Sequence, residues 1–375
     1  MQRFPSAFLS IIACVAIAGC ATDTPSSPVA PTASSGQISS SLAGAPSNDE
    51  FSGEGEDDSD MPYTMAVIGD TPYGPVKLAE FPALTDKINA DPAVRLVAHL
   101  GDVKGGSSSP CTDEYLENIR GLFDRFVDPF AYTPGDNEWT DCHVFKKNNG
   151  LYTPTERLEK VRSLFFPTPG RTLGVNSMHV VTEANDQANF AYVENTMWKK
   201  ARVVFAMLNI TGSNNDLASW GAPLPADAAN YQSQQDEVAA RAQANSAWLE
   251  RAFTTAKRTH AAGIVLMFQA DMWDPADPTQ LTGFDGLVQQ IGTLAQVFGK
   301  PVLLLEGDSH VFNVANPYSA SSPFHSLHAS TPVVDNVTRI VVEGSAAGRT
   351  EYLRLTIDPR NKASTLFSWE RVPLN

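Results

Sequence analysis

The sequence predicts an α/β fold built on a sheet with a parallel core. Three observations support this. Four short apolar runs each end in Gly-Asp: Met65–Ile68 before Gly69-Asp70, Leu96–Leu100 before Gly101-Asp102, Phe130–Pro134 before Gly135-Asp136, and Val302–Glu306 before Gly307-Asp308. Runs this short and this apolar read as strands buried on both faces. Helical stretches alternate with them, as βαβ units require. Finally, residues 62–375 contain no second linker and no internal repeat, and their length suits one large domain.

The elements follow in order. The first strand leads into a helix over Val76–Ala90, the second into one over Thr112–Val127, and the third into one over Thr153–Phe165. Asn189–Glu194 and Val203–Ile210 read as further strands. A long helix covers Ser233–Arg258, where Trp248/Ala252 and Leu249/Phe253 fall at i, i+4 on one apolar stripe. Ile264–Phe268 is another buried strand, Phe284–Phe298 a helix, and Val302–Leu305 the fourth Gly-Asp strand. Three β-rich runs close the chain, Thr338–Val342, Glu351–Ile357 and Thr365–Val372, and suggest an antiparallel second sheet stacked on the first.

The N-terminal residues are targeting and tether rather than fold. Residues 1–20 carry one charge, Arg3, and an apolar stretch over Ala7–Ala18 that is too short to span a bilayer. It ends in Ile17-Ala18-Gly19-Cys20, which resembles a bacterial lipobox with Cys20 as the lipidated residue; an ordinary secretory signal is the alternative. Residues 21–61 lack Lys and Arg and are rich in Ser, Pro, Ala, Gly and acid, as expected of a disordered tether. The formal net charge is −15, made up of +1 from residues 1–20, −8 from 21–61 and −8 from residue 62 onward. The folded part is thus mildly acidic, which argues against a nucleic-acid partner. The membrane is expected to be reached only through the lipid anchor, in the bacterial cell envelope. Cys111 and Cys142 each follow a Gly-Asp turn. Outside the cytosol they are expected to form a disulfide, with two separate thiols as the alternative.

The Gly-Asp ends carry the functional expectation. Open α/β folds build their sites at the carboxyl edge of the sheet, and a turn there delivers each aspartate to that edge. Each glycine is expected to allow the sharp turn. Four carboxylates gathered at one edge repel one another unless a cation sits among them. A metal site is therefore expected.

In their order, these strand ends resemble the calcineurin-like metallophosphoesterase superfamily, whose pattern is D-x-H, G-D-x-x, G-N-H-E, a lone His and G-H-x-H. The matching stretches are Asp70-Thr71-Pro72, Gly101-Asp102-Val103-Lys104, Gly135-Asp136-Asn137-Glu138, the segment around Gln269, and Gly307-Asp308-Ser309-His310. The resemblance runs from Ile68 to Val311. It implies a four-layer α/β/β/α sandwich of the metallophosphoesterase type. It also implies one or two divalent ions that polarise a phosphoryl group and activate water. Asp102 would bridge the ions, Asp70 and His310 would complete one, and Asp136 and Asp308 would lie near the other.

The departures from the pattern are as informative. Pro72 and Gln269 stand where histidines are expected, Asp136-Asn137 replaces Asn-His, and Asp308 replaces a third His. The remaining donors are nearly all oxygen. They suit Mn, Mg, Fe or Ca better than zinc, or no metal at all should the site be degenerate. Lys104 could neutralise a carboxylate where a second cation would sit, or be a surface lysine. Asn137 takes the place of the usual leaving-group acid. His143 could supply the missing proton if the disulfide holds it near the site, or be an exposed loop histidine. His99, inside a strand, reads as a core residue. Gln269 and Asn214 are candidate substrate contacts, with turn chemistry the alternative for Asn214. The expected function is an exported, metal-dependent hydrolysis of a small phosphoric ester. The alternative is a catalytically inactive module of the same fold that binds a ligand or partner.

Overall fold

The structure, a computed structural model, describes residues 60–144, 152–217, 220, 228–274, 276, 278–328 and 330–375. The targeting segment, the lipidation candidate Cys20 and residues 21–59 of the tether lie outside the described residues.

The fold is mixed α/β with two sheets. The five-stranded sheet has the order β12-β11-β1-β2-β3. It contains β1 (Tyr63–Ile68), β2 (Val94–His99), β3 (Phe130–Tyr132), β11 (Glu351–Ile357) and β12 (Phe367–Pro373). Strands β1, β2 and β3 are parallel, while β11 and β12 add on antiparallel beside β1. The seven-stranded sheet has the order β4-β5-β6-β7-β8-β10-β9. Its strands are β4 (Val181–Thr182), β5 (Thr196–Lys200), β6 (Val203–Met207), β7 (Gly263–Met267), β8 (Val302–Glu306), β9 (Asn313–Ala315) and β10 (Val337–Val341). Its centre, β6-β7-β8-β10, is parallel.

The connecting helices are α1 (Gly74–Asn89), α2 (Asp113–Phe123), α3 (Pro154–Phe165), α4 (Ala228–Arg258) and α5 (Asp285–Phe298). Their ends follow local chemistry. Thr112 Oγ1 caps α2 by accepting from the Tyr115 amide at 3.3 Å, and Pro154 opens α3. Gly299, at φ +68°, ends α5 in the left-handed conformation that glycine adopts without strain.

Period-2 alternation along the strands distributes the core. Met65 and Val67 of β1 pack with Val203, Phe205, Leu303 and Leu305 of the other sheet, so one apolar cluster joins both sheets. Ala66 and Ile68 point the other way, toward Phe81, Leu84, Leu116 and Phe123 of α1 and α2. Val204, Leu266 and Leu304 likewise meet Trp248, Leu249, Phe253 and Ile291 of α4 and α5. Each such fully buried aliphatic or aromatic side chain contributes roughly 1.5–3 kcal/mol.

Two expectations are corrected. Asn189–Glu194 is not a strand but a series of turns, in which the Asn189 amide bonds the Asp186 carbonyl and the Asn189 side chain donates to Glu183. The strand lies just beyond, at β5. The three C-terminal runs do not form a sheet of their own: β10 joins the seven-stranded sheet parallel to β8, and β11 and β12 extend the five-stranded sheet. Period-2 patterning marks a strand but does not say which neighbour it pairs with.

Candidate metal centre

The carboxyl ends of β1, β2 and β3 meet those of β6, β7 and β8. Thr133 Oγ1 donates to the Leu208 carbonyl at 2.8 Å, and the Gly307 amide to the Gln269 carbonyl at 2.9 Å, tying these ends together. The strand-end glycines work differently from the expectation. Of the four, only Gly101 has positive φ, +89°; it is the aspartates Asp70, Asp102 and Asp308, and His310 with them, that take left-handed backbone, at φ 51°, 56°, 67° and 66°. The glycines supply room instead. A Cβ on Gly135 would lie 2.1 Å from Asp102 Oδ1, and one on Gly307 2.3 Å from Asp70 Oδ2. A Cβ on Gly344, beyond β10, would lie 2.7 Å from both Asp70 Cβ and His310 Cδ2. Gly135 and Gly307 are thus each the seat of another motif's carboxylate, while Gly101 makes room for the Pro134–Gly135 backbone and Gln269.

Asp70, Asp102 and His310 are brought together, each with a ligand-type atom within 4.8 Å of the others. The Asp308 amide donates to both oxygens of Asp70 at 3.0 Å. The Tyr73 hydroxyl donates to Asp102 Oδ2 at 2.8 Å, lies 3.2 Å from Asp70 Oδ1, and is 3.3 Å from His310 Nε2. Burial pushes the carboxyls of Asp70, Asp102 and Asp308 well above the usual carboxylate range, and the neighbouring carboxylates add to the shift. Burial also lowers His310, which favours the neutral imidazole that ligates metals. Buried acids that repel one another, next to a neutral imidazole, suit a divalent cation in donor chemistry and spacing.

The third motif cages Asp102. The Asn137 amide donates to Asp102 Oδ1 at 3.1 Å and its side chain to Oδ2 at 2.5 Å. Glu138 Oε1 accepts from the amides of Asp102 and Gly135 and from Tyr132 Oη, at 3.1, 2.6 and 2.7 Å. Lys104 is buried rather than on the surface, and its Nζ donates to the carbonyls of Asn137 and Gly105 at 3.1 Å. Burial lowers its pKa to about 8, while the surrounding carboxylates of Asp102, Glu138, Asp141 and Asp136 pull it upward. Cys111 and Cys142 form a disulfide with Cα atoms 5.9 Å apart, and both sulfurs pack 3.5 Å from the Asn137 carbonyl oxygen.

Asp136 and the Asp308 side chain lie outside the ligand cluster of Asp70, Asp102 and His310, though each interacts electrostatically with Asp70. A Cβ on Gly212 would lie 2.8 Å from Asp308 Oδ1 and 3.0 Å from Asp136 Cγ. Both acids line a cleft of about 300 Å³ together with Ser213, Asn214, Asp271 and Asp274. Ser213 Oγ lies 2.8 Å from Asp136 Oδ2 and 2.9 Å from Asp141 Oδ1. Arg339 ion-pairs with Asp271 and with Glu306, the latter at 2.5 Å, and the Asp271 amide bonds Asp308 Oδ2 at 3.3 Å. Residues Ser213–Asp216 are all in left-handed backbone, φ 51–65°, which costs roughly 1–2 kcal/mol per non-glycine residue. Asn214 holds this turn through the Gly283 amide at 2.7 Å and Thr282 at 3.2 Å, and Arg241 anchors Asn215. Gln269 accepts from the Gly212 amide at 2.5 Å through Oε1, so its acceptor atom is already committed.

His143 is buried rather than exposed, with Nδ1 2.7 Å from the Thr140 carbonyl. His99 is a core residue, as expected: it accepts from the Gly101 amide at 3.1 Å, faces the Thr71 carbonyl at 2.8 Å, and burial lowers its pKa to about 4. Sequence reasoning read Tyr73 only as an aromatic that could wall a pocket, and assigned no role to Glu138, Asp271, Asp274 and Ser213. Asp271 had a signal, an acid two residues beyond Gln269. Tyr73 had one in its place directly after Asp70-Thr71-Pro72.

No family model matches the chain, and no curated protein matches it. Among solved structures it is similar to one described as "GAP50 the anchor in the inner membrane complex of Plasmodium", at 9% identity, covering 84% of this chain and 89% of that one, with a TM-score of 0.41.

Proposed function

We propose that the chain is a metal-dependent phosphoric-ester hydrolase of the calcineurin-like metallophosphoesterase superfamily, with that superfamily's α/β/β/α layering. One observation carries this reading: Asp70, Asp102 and His310, from three separate strand-end motifs, place ligand atoms within 4.8 Å of one another at the edge of the two sheets. These three residues would hold a divalent ion, which when bound supplies Lewis acidity toward a phosphoryl oxygen. The remaining steps belong to the chain. Asn137 fixes both oxygens of Asp102, and the Asp308 amide fixes Asp70, so the carboxylates are positioned before substrate arrives. Lys104 and the disulfide hold Asn137 from behind. The cleft beside Asp136 and Asp308 would admit a small phosphorylated substrate.

The disulfide fits folding outside the reducing cytosol, which supports the proposed export; anchoring at Cys20 is proposed from the sequence motif alone. Among the described residues no helix is long and apolar enough to cross a membrane.

A second reading, an inactive ligand- or partner-binding module, is favoured by the state of the proton donors. The Asn137 side chain is committed to Asp102, and His143 Nδ1 faces a backbone carbonyl. The two readings separate in one assay. Purified full-length protein supplied with manganese should hydrolyse phosphomonoester or phosphodiester model substrates, and Asp102→Ala should fall to background. Equal background rates in both proteins would select the binding module.

A further inference from the structure

Positive charge collects at the end of the molecule opposite the proposed metal centre. Arg202 lies in the turn between β5 and β6, and its carbonyl accepts from the Ala262 amide at 2.6 Å. Lys257 and Arg258 close α4 a few residues before Ala262. Lys300 leads into β8 and donates to the Ala261 carbonyl at 2.6 Å. Arg360 and Lys362 lie between β11 and β12, in a connection that rests on the start of β7: a Cβ on Gly263 would meet Leu366 Cδ2 at 2.6 Å. These bases therefore share the amino-terminal end of the seven-stranded sheet, although the chain from residue 62 onward has a formal net charge of −8. Asp335 and Asp358 offset part of this charge, Asp358 by pairing with Arg360 at 2.9 Å.

The described structure begins at this same end. Asp60 pairs with Arg202 at 3.7 Å, and Tyr63 of β1 sits opposite Ile357, shortly before Arg360. Upstream of Asp60 come Asp49, Glu50, Glu54, Glu56, Asp57 and Asp58, with no Lys or Arg among them. Neighbouring strands stand about 4.8 Å apart and stacked sheets about 10 Å, so the other bases lie roughly 10–20 Å from Arg202. A ten-residue segment reaches about 33–36 Å when extended, enough to cover them. A single exposed ion pair contributes little. Six carboxylates joined to the pole by a short stretch of chain act together, at an effective concentration in about the millimolar range. The same carboxylates, attached at its edge, would repel an anionic lipid surface or nucleic acid brought to the pole.

We propose that residues 49–58 dock on this basic pole, neutralise it, and close it to other polyanions while they are in place. The inference concerns the end of the fold away from the acids and does not depend on the metal reading.

The test compares the full chain with a variant carrying Asp49→Asn, Glu50→Gln, Glu54→Gln, Glu56→Gln, Asp57→Asn and Asp58→Asn. Each is treated with a carbodiimide, which joins a lysine to a carboxylate in contact with it: an amide bond forms, and the carbodiimide takes up the water lost. Cross-linked peptides are identified by mass spectrometry, with a mixture of unlabelled and nitrogen-15-labelled chain separating links within one molecule from links between two. In the natural chain, residues 49–58 should link to Lys257, Lys300 and Lys362 of the same molecule, and the links should fade as salt is raised to about 0.5 M. Lys77, bonded to the Gly348 carbonyl, and Lys160, paired with Asp113, lie elsewhere and should stay unlinked to the segment. Heparin, a soluble polyanion, should bind the six-fold variant at least about tenfold more tightly than the natural chain, since the variant has lost its internal competitor. No links from the segment to the pole, links spread equally to Lys77 and Lys160, links only between molecules, or equal heparin affinity in the two chains would each overturn the proposal.

Discussion

Replacing Gly135 by alanine should dislodge Asp102 from the proposed metal centre. The added Cβ would lie 2.1 Å from Asp102 Oδ1, 2.5 Å from the Asp102 amide nitrogen and 2.8 Å from Gln269 Cγ. Ordinary contact begins near 3.4 Å, so the worst overlap is 1.3 Å. Two of the three obstacles are backbone or a buried side chain pinned by Gly212, and none can swing aside freely. Overpacking a tight interior costs about 1–3 kcal/mol. Moving Asp102 also weakens its two bonds from Asn137, each worth about 1.5–3 kcal/mol to a charged group. A loss of about 3 kcal/mol or more is expected, together with loss of bound metal. Gly121 in α2 has nothing within 4 Å of its would-be Cβ, and Gly121→Ala should be neutral or gain up to about 1 kcal/mol. Urea midpoints and metal content of both variants test the reasoning. A Gly135→Ala protein within about 0.5 kcal/mol of the natural chain and fully metallated would refute it.

Two further outcomes follow from buried groups. His99 is held neutral, with its pKa lowered from 6.5 to about 4, so the unfolded chain binds the extra proton between those values. Its contribution is full above pH 6.5 and is lost as pH falls toward 4, by roughly 3 kcal/mol. The difference in urea midpoints between the natural chain and His99→Gln across that window should show this slope; parallel curves would contradict it. Replacing both Cys111 and Cys142 by alanine opens a crosslink spanning 31 residues and should cost about 3–4 kcal/mol. It should also weaken metal binding through Asn137, and an unchanged unfolding midpoint and metal affinity would count against the clamp.

Much of the fold was legible because its centre is parallel. Strands such as β1 and β8 are buried on both faces and stand out as apolar runs, β1 leading into a helix and β8 following one. The peripheral strands were less legible, since β5 carries Lys199 and Lys200 at a mixed edge and Asn189–Glu194 has turn chemistry that resembles a polar strand. The pairing of β11 with β1 joins residues hundreds of positions apart, and β10 pairs with β8 across a strand intervening in sequence, which local pattern does not encode. In the site, the acids Asp70, Asp102, Asp136 and Asp308 were visible through their glycines. The reason for the glycines was not, because the close approach of Asp102 to Gly135 joins two motifs that are distant in sequence. Tyr73, an aromatic after a strand end, reads from sequence as a pocket wall, and only its hydroxyl's bonds to Asp70 and Asp102 place it in the acid cluster. Lys104 read as evenly a surface or a site residue; its burial against the Asn137 carbonyl is a tertiary contact that the local sequence does not encode.

The central claim is that the Asp70, Asp102 and His310 cluster holds a metal ion. Metal content of the purified full chain, beside Asp102→Ala prepared identically, tests it most directly. The account predicts at least one iron, manganese, magnesium or calcium ion per natural chain and a near-complete loss in Asp102→Ala. Metal-free natural protein that also takes up none of these ions when they are supplied would contradict it.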